Sequence, residues 1–190
     1  SIDYLEESKP LGTAGALKKL EGQIEGAFFV SNCDIFIEED YAKILEYHQE
    51  KRNDLTLVTS VKNYHIPYGI CEIENGGTLT EIKEKPEYNF LVNTGMYILD
   101  ASVLSLIPDD TFYHITELAH AIKVDGGRVG VFPVGEDAWI DVGQWSEYKK
   151  ARDTLSNLGL CELFFSGLVP VGNDISACCR STSIMKSTLF

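Results

Sequence analysis

The sequence predicts an α/β fold, a mixed β-sheet with helices on its faces, and three observations lead there. Short apolar, β-branched runs alternate with segments whose apolar residues recur at helical spacing. An Asn-Gly-Gly turn, Asn75 to Gly77, separates two strand-like runs and marks an antiparallel insert. The 190 residues, 44% hydrophobic, suffice for one well-buried domain and are short for two.

Taken in order, "ESKPLGTAGALKKL" at Glu7 to Leu20 is a glycine-bearing turn that opens a helix. Such turns usually follow a strand that aims them at a ligand, so either this turn is only a helix start or the chain has lost the strand that made sense of it. "AFFVSN" at Ala27 to Asn32 suits a buried parallel strand. From Glu38 to Asn53, Tyr41, Ile44, Leu45 and His48 fall at helical spacing, with acids early and Lys51 and Arg52 late, which predicts a surface helix. "DLTLVTSV" is a second strand, and "YGICEIE" and "TLTEIKEK" flank the turn as a hairpin. "NTGMYILD" predicts a strand, "TELAHAIKVDGG" a glycine-closed helix, "RVGVFPV" a strand and "QWSEYKKARDTLSNL" a last long helix. From Gly159 the periodicity ends, so residues 1–158 form the predicted domain and 159–190 an irregular tail.

Composition narrows the function. A formal net charge of −13 makes nucleic acid an unsuitable partner, because backbone binding relies on Lys and Arg. No apolar run approaches the ~18 residues of a membrane span and no basic-then-apolar leader opens the chain, so a cytoplasmic protein is expected. Five cysteines without a C-x-x-C pair predict reduced thiols, with Cys33 a small packing residue. His114, Glu117 and His120 read as a helix surface rather than a metal site, and Phe28, Phe29, Tyr41, Tyr47 and Trp145 as core aromatics.

In open α/β sheets, sites gather at the carboxyl ends of strands. Asp34 follows the strand "AFFVSN" and Asp141 follows a short strand around Ala138 to Ile140. Two carboxylates from separate strands suit Mg²⁺, which completes its octahedron with water and phosphate. Lys85, at a strand end before Pro86, is a compact cation fit for a phosphate in an otherwise acidic chain.

The segments "PLGTAGAL", "SNCD", "PYGICE", "EKP", "NTGMYIL" and "WIDVGQWSEYKKA" occur in the order and approximate spacing of the sugar-phosphate nucleotidyltransferases, which this chain resembles from about Glu6 to Arg152. The resemblance implies a Rossmann-like mixed sheet of the nucleotide-diphospho-sugar transferase type, lacking its first strand and Arg-bearing glycine-rich loop. It implies nucleotidyl transfer from an NTP to a sugar 1-phosphate, with Mg²⁺ as cofactor. In this reading Gly12 lies against the nucleotide base, with Thr13 capping the helix behind it. Asp34 and Asp141 hold the metal, with Asp34 also at the nucleotide. Gly69, Glu84, Lys85, Asn93, Thr94 and Trp139 surround the sugar phosphate, Lys85 on its phosphate and Glu84 on a sugar hydroxyl. The segments are similar to the branches handling mannose-like, heptose or nonulosonate sugars. Without the loop on the triphosphate, these 190 residues are expected to show no turnover, and the sheet edge left bare is expected to promote self-association. A non-catalytic nucleotide-sugar-binding paralogue is the alternative, and a nucleotide-sugar-using glycosyltransferase a weaker one, since "SNCD" has no second acid two residues before Asp34.

Overall fold

The structure is a computed structural model that describes residues 3–142. Its centre is a four-stranded sheet of order β1-β6-β3-β7, built from β1 (Ala27–Ser31), β3 (Leu55–His65), β6 (Glu87–Asp100) and β7 (Val129–Val134). Side chains alternate across it with period two. On β6, Tyr97 and Leu99 join a core with Leu17, Leu104 and Leu118, while Met96 and Ile98 join a second core with Ile37, Ile44 and Val134.

Each face therefore has its own cover. The first is roofed by α1 (Gly12–Gly15), the tight 3₁₀ turns at Ala16–Leu20 and Ala101–Leu106, and α3 (Ile115–Val124). The second is roofed by α2 (Tyr41–Lys51) and by a small ladder of β2 (Ile35–Ile37) with β8 (Trp139–Asp141). Asp40 starts α2 by accepting a hydrogen bond from the Ala42 N–H, and Arg52 ends it in the left-handed region at φ 51°.

The mixed sheet and its flanking helices are as the sequence predicts, but strand direction differs. The β1 strand runs antiparallel to β6, not parallel, and the parallel pair is β3 with β7. An apolar run shows that both faces of a strand are covered and carries no mark of its direction. Both β3 and β6 also outrun their predicted ends. Their distal halves pair with each other from Thr59↔Asn93 to His65↔Glu87, away from either core, so no burial pattern announces them.

The hairpin of β4 (Ile70–Ile73) and β5 (Leu79–Lys83) forms as predicted. The positive φ values fall on Gly76 and Gly77, at 92° and 87°, one residue later than an Asn-Gly turn would place them. Among the predicted core aromatics, Phe28 is buried, whereas Tyr41 is exposed and stacks on Phe29 at 5.6 Å. Cys33 is exposed rather than packed. Trp145, the helix expected at 144–158 and the tail lie outside the described residues.

Candidate active site

The turn that opens the molecule is held by the loop before α3. Gly12 has φ +77°, and a Cβ there would meet the Tyr113 carbonyl oxygen at 2.7 Å; at Gly15 it would meet the Thr111 oxygen at 2.6 Å. The N–H groups of Ala14 and Gly15 both donate to the Tyr113 carbonyl. On the side where a Cβ would stand, these glycines thus admit the chain's own backbone. Thr13 caps a helix, but not the one behind it. Its Oγ1 accepts the Ile115 N–H at 2.9 Å, at the start of α3, and α1 has no side-chain cap. Glu117 supports the same end by accepting the His114 N–H at 2.7 Å, which places the His-Glu-His series on a helix start and its exposed surface.

The two aspartates meet through backbone pairing. Ile35 lies opposite Asp141 in the β2–β8 ladder, and the Val142 N–H donates to the Asp34 carbonyl at 2.8 Å. Asp34 stands just before the ladder and Asp141 ends it, both half-buried. They are brought together by a separate two-stranded ladder, not by two strands of the main sheet. Among the described residues no cluster of three or more His, Cys, Asp or Glu could hold a metal ion. Carboxylate oxygen is the donor type that Mg²⁺ takes, from one or two side chains with phosphate and water completing the shell.

The end of β1 leads into an interruption of the β3–β6 ladder. Val58 pairs with Met96 but Thr59 with Asn93, so Thr94 and Gly95 loop out. Gly95 has φ +91°, and the Asn32 side chain fills the space where its Cβ would be, with Nδ2 at 2.6 Å. Thr94 is 2% exposed; its Oγ1 donates to the Val58 carbonyl and accepts from the Met96 N–H. It anchors the bulge through both bonds of its hydroxyl. Asn93 is exposed: its Oδ1 accepts the Gly95 N–H at 3.2 Å and its Nδ2 donates to the Tyr97 hydroxyl at 2.7 Å. Burial raises the Tyr97 phenol pKa, so it stays protonated at neutral pH.

The remaining predicted residues stand on or beside the hairpin. A Cβ on Gly69 would lie 3.0 Å from Glu84 Oε2, so the sequence-distant Gly69 and Glu84 are neighbours. Lys85 is exposed with φ +44°, between the end of β5 and Pro86. Lys83 is engaged by Glu72 and Glu81, whereas Lys85 has no hydrogen bond or ion pair among the described residues. Trp139, expected as a pocket wall, is half-buried against the second core, with Lys62 Nζ 5.3 Å from its ring centroid and its indole N–H buried. The sequence did not point to Asn32 or Tyr97; only the structure shows that Asn93, Gly95 and Tyr97 form one unit.

A central mixed sheet flanked by helices, with a small outlying hairpin, is here the fold of the nucleotide-diphospho-sugar transferases. HddC from Yersinia pseudotuberculosis matches with a TM-score of 0.53 at 28% identity, over 78% of this chain and 64% of that one. The same protein complexed with GMP-PN matches with a TM-score of 0.51 at 26% identity, over 83% and 64%. The nucleotidyl transferase family model matches residues 1–157, and the chain belongs to that family. Mannose-1-phosphate guanyltransferase of Aspergillus fumigatus is 32% identical over 155 residues, 77% of this chain and 42% of the relative. The enzyme of that name from Hypocrea jecorina is 31% identical over 181 residues, 91% and 46%. The chain thus spans less than half the length of these relatives.

Proposed function

We propose that the site serves nucleotidyl transfer to a sugar 1-phosphate, with a mannose-like sugar and a guanine nucleotide as the first pair to test. The observation that carries the proposal is Lys85: a cation without hydrogen bond or ion pair among the described residues, held at a left-handed φ in an acidic chain, beside the adjoining Gly69 and Glu84. Backbone strain at an exposed lysine suits a group that waits for an anion. The names of the relatives supply the sugar and base, and the GMP-PN complex of HddC supports a nucleotide at this fold.

In the reaction, a phosphate oxygen of the sugar 1-phosphate attacks the α-phosphorus of the NTP in line. The bond from that phosphorus to the bridging oxygen breaks, and pyrophosphate leaves with the electron pair. Lys85 binds and orients the sugar phosphate through its ammonium group. Glu84 accepts a hydrogen bond from a sugar hydroxyl, and Asn93 addresses the ring. Asp34 and Asp141 would hold Mg²⁺, which when bound offsets phosphate charge.

The test is pyrophosphate release and nucleotide-sugar formation with Mg²⁺, across panels of NTPs and sugar 1-phosphates, by a longer chain that carries the family's Arg-bearing glycine-rich loop ahead of these residues, the 190-residue chain itself being expected to show no turnover. A productive pair whose kcat/KM falls about tenfold or more in Lys85→Ala supports the proposal. Binding of sugar phosphate without product from any pair favours the binding-only alternative, and an unimpaired Lys85→Ala removes Lys85 from the site.

A further inference from the structure

We infer that Tyr97 is a positioning residue for sugar recognition: its buried hydroxyl and the Gly95 N–H together lock the exposed Asn93 carboxamide in one orientation. The inference rests on the reading of the site proposed above.

The orientation follows from donor chemistry. A backbone N–H can only donate, so the Asn93 atom facing Gly95 is Oδ1 and the atom facing Tyr97 is Nδ2. The phenol oxygen is therefore the acceptor. One N–H of Nδ2 and one lone-pair direction of Oδ1 remain for a partner. A fixed donor and acceptor side by side match a ring hydroxyl, or a neighbouring pair, on a polyhydroxylated ligand.

Three features of the chain set up the lock. Gly95 reaches its orientation through φ +91°, which a residue with a Cβ rarely adopts, and the Asn32 side chain packs into the space so left. Thr94 anchors the looped-out residues to the Val58 carbonyl. Tyr97 is 5% exposed within the first core, so its hydroxyl is a rigid post. An exposed Asn held at both ends gives up rotamer freedom while burying no apolar surface. That arrangement lowers the ordering entropy when a ligand is recognised.

The experiment uses the full 190-residue chain as wild type, Tyr97→Phe, Asn93→Ala and the double variant. It reads the Asn93 side-chain amide resonances by NMR without ligand, the mannose 1-phosphate dissociation constant by titration, and the thermal midpoint. Tyr97→Phe is expected to shift the Asn93 amide pair and to weaken mannose 1-phosphate by about three- to tenfold. In the Asn93→Ala background the same change should leave the dissociation constant unaltered, which a merely structural role would not produce. Unmoved Asn93 resonances in Tyr97→Phe, or fully additive losses in the double variant, would overturn the positioning role. A wild-type chain that ignores mannose 1-phosphate while Asn93 still responds to Tyr97→Phe would instead overturn the functional reading, and with it the recognition role.

Discussion

The aspartate ladder and the β4–β5 hairpin present the proposed site residues in opposite ways. Asp34 and Asp141 are placed by backbone pairing, half-buried, on a ladder whose Ile35 and Ile37 belong to a core. Lys85 and Glu84 sit exposed on an outlying two-stranded piece whose large apolar side chains Ile73, Leu79 and Ile82 are also exposed. A two-stranded hairpin is only marginally stable by itself in water, so it adapts at little expense. The difference teaches that position is built into the strand ends, whereas the hairpin holds its cation outside either core. Asn93 stands between these regimes, exposed yet anchored at both ends.

Substitution should break the two regions differently, and the largest effect is expected in the anchored one. Gly95→Ala forces a side chain into a left-handed conformation against Asn32 and should destabilise the fold by about 2–4 kcal/mol in denaturant titration. On the hairpin, Lys85→Ala should leave the denaturant midpoint nearly unchanged while weakening sugar 1-phosphate by about 1.5–3 kcal/mol. Lys85→Gly sharpens the contrast: it relieves the positive φ and should match or exceed wild-type stability, with the same loss of anion binding. A third effect belongs to the anchored side, where Thr13→Ala removes the cap on α3 and should cost about 1 kcal/mol.

The smallest expected effect is a pH dependence, a slope rather than a break. His48 is 3% exposed, its Nδ1 2.9 Å from Thr56 Oγ1, and that oxygen also accepts from Asn53 Nδ2. Burial lowers the His48 pKa, against the opposing pull of Asp100 and Asp54. The unfolded chain therefore binds the proton more readily. Stability from neutral His48 is present above the ordinary value near 6.5 and is lost as pH falls below it toward the depressed folded value. Asp100, held low chiefly by the Ser102 N–H, adds a second loss below the ordinary carboxylate range. Denaturant midpoints from pH 8 to 4 should fall with acid, and His48→Gln should flatten the first step.

Much of the fold was legible in the sequence, because amphipathic period and turn chemistry are local. The α2 period and the Asn-Gly-Gly turn each name their element without help from the rest of the chain. The antiparallel direction of β1, the long polar arm of β3 and β6, and the looped-out Thr94 and Gly95 are pairing facts, set by residues tens of positions away. The site divides likewise. Strand-end logic puts forward Asp34, Asp141 and Lys85 as site residues, whereas the backbone partners of Thr13 and Thr94, at Ile115 and Val58, are visible only in the fold. Tyr97 reads as an ordinary core aromatic, and only its bond to Asn93 sets it apart.

The central claim is that ladder and hairpin are the two halves of one phosphate site. It is tested most directly by ³¹P relaxation of mannose 1-phosphate bound to the chain with nucleotide, with Mn²⁺ in place of Mg²⁺. The account predicts a protein-dependent broadening of the sugar phosphate signal that is lost in Asp34→Asn through the metal and in Lys85→Ala through the sugar phosphate. Broadening no greater than in protein-free solution, or unchanged in both variants, would contradict it.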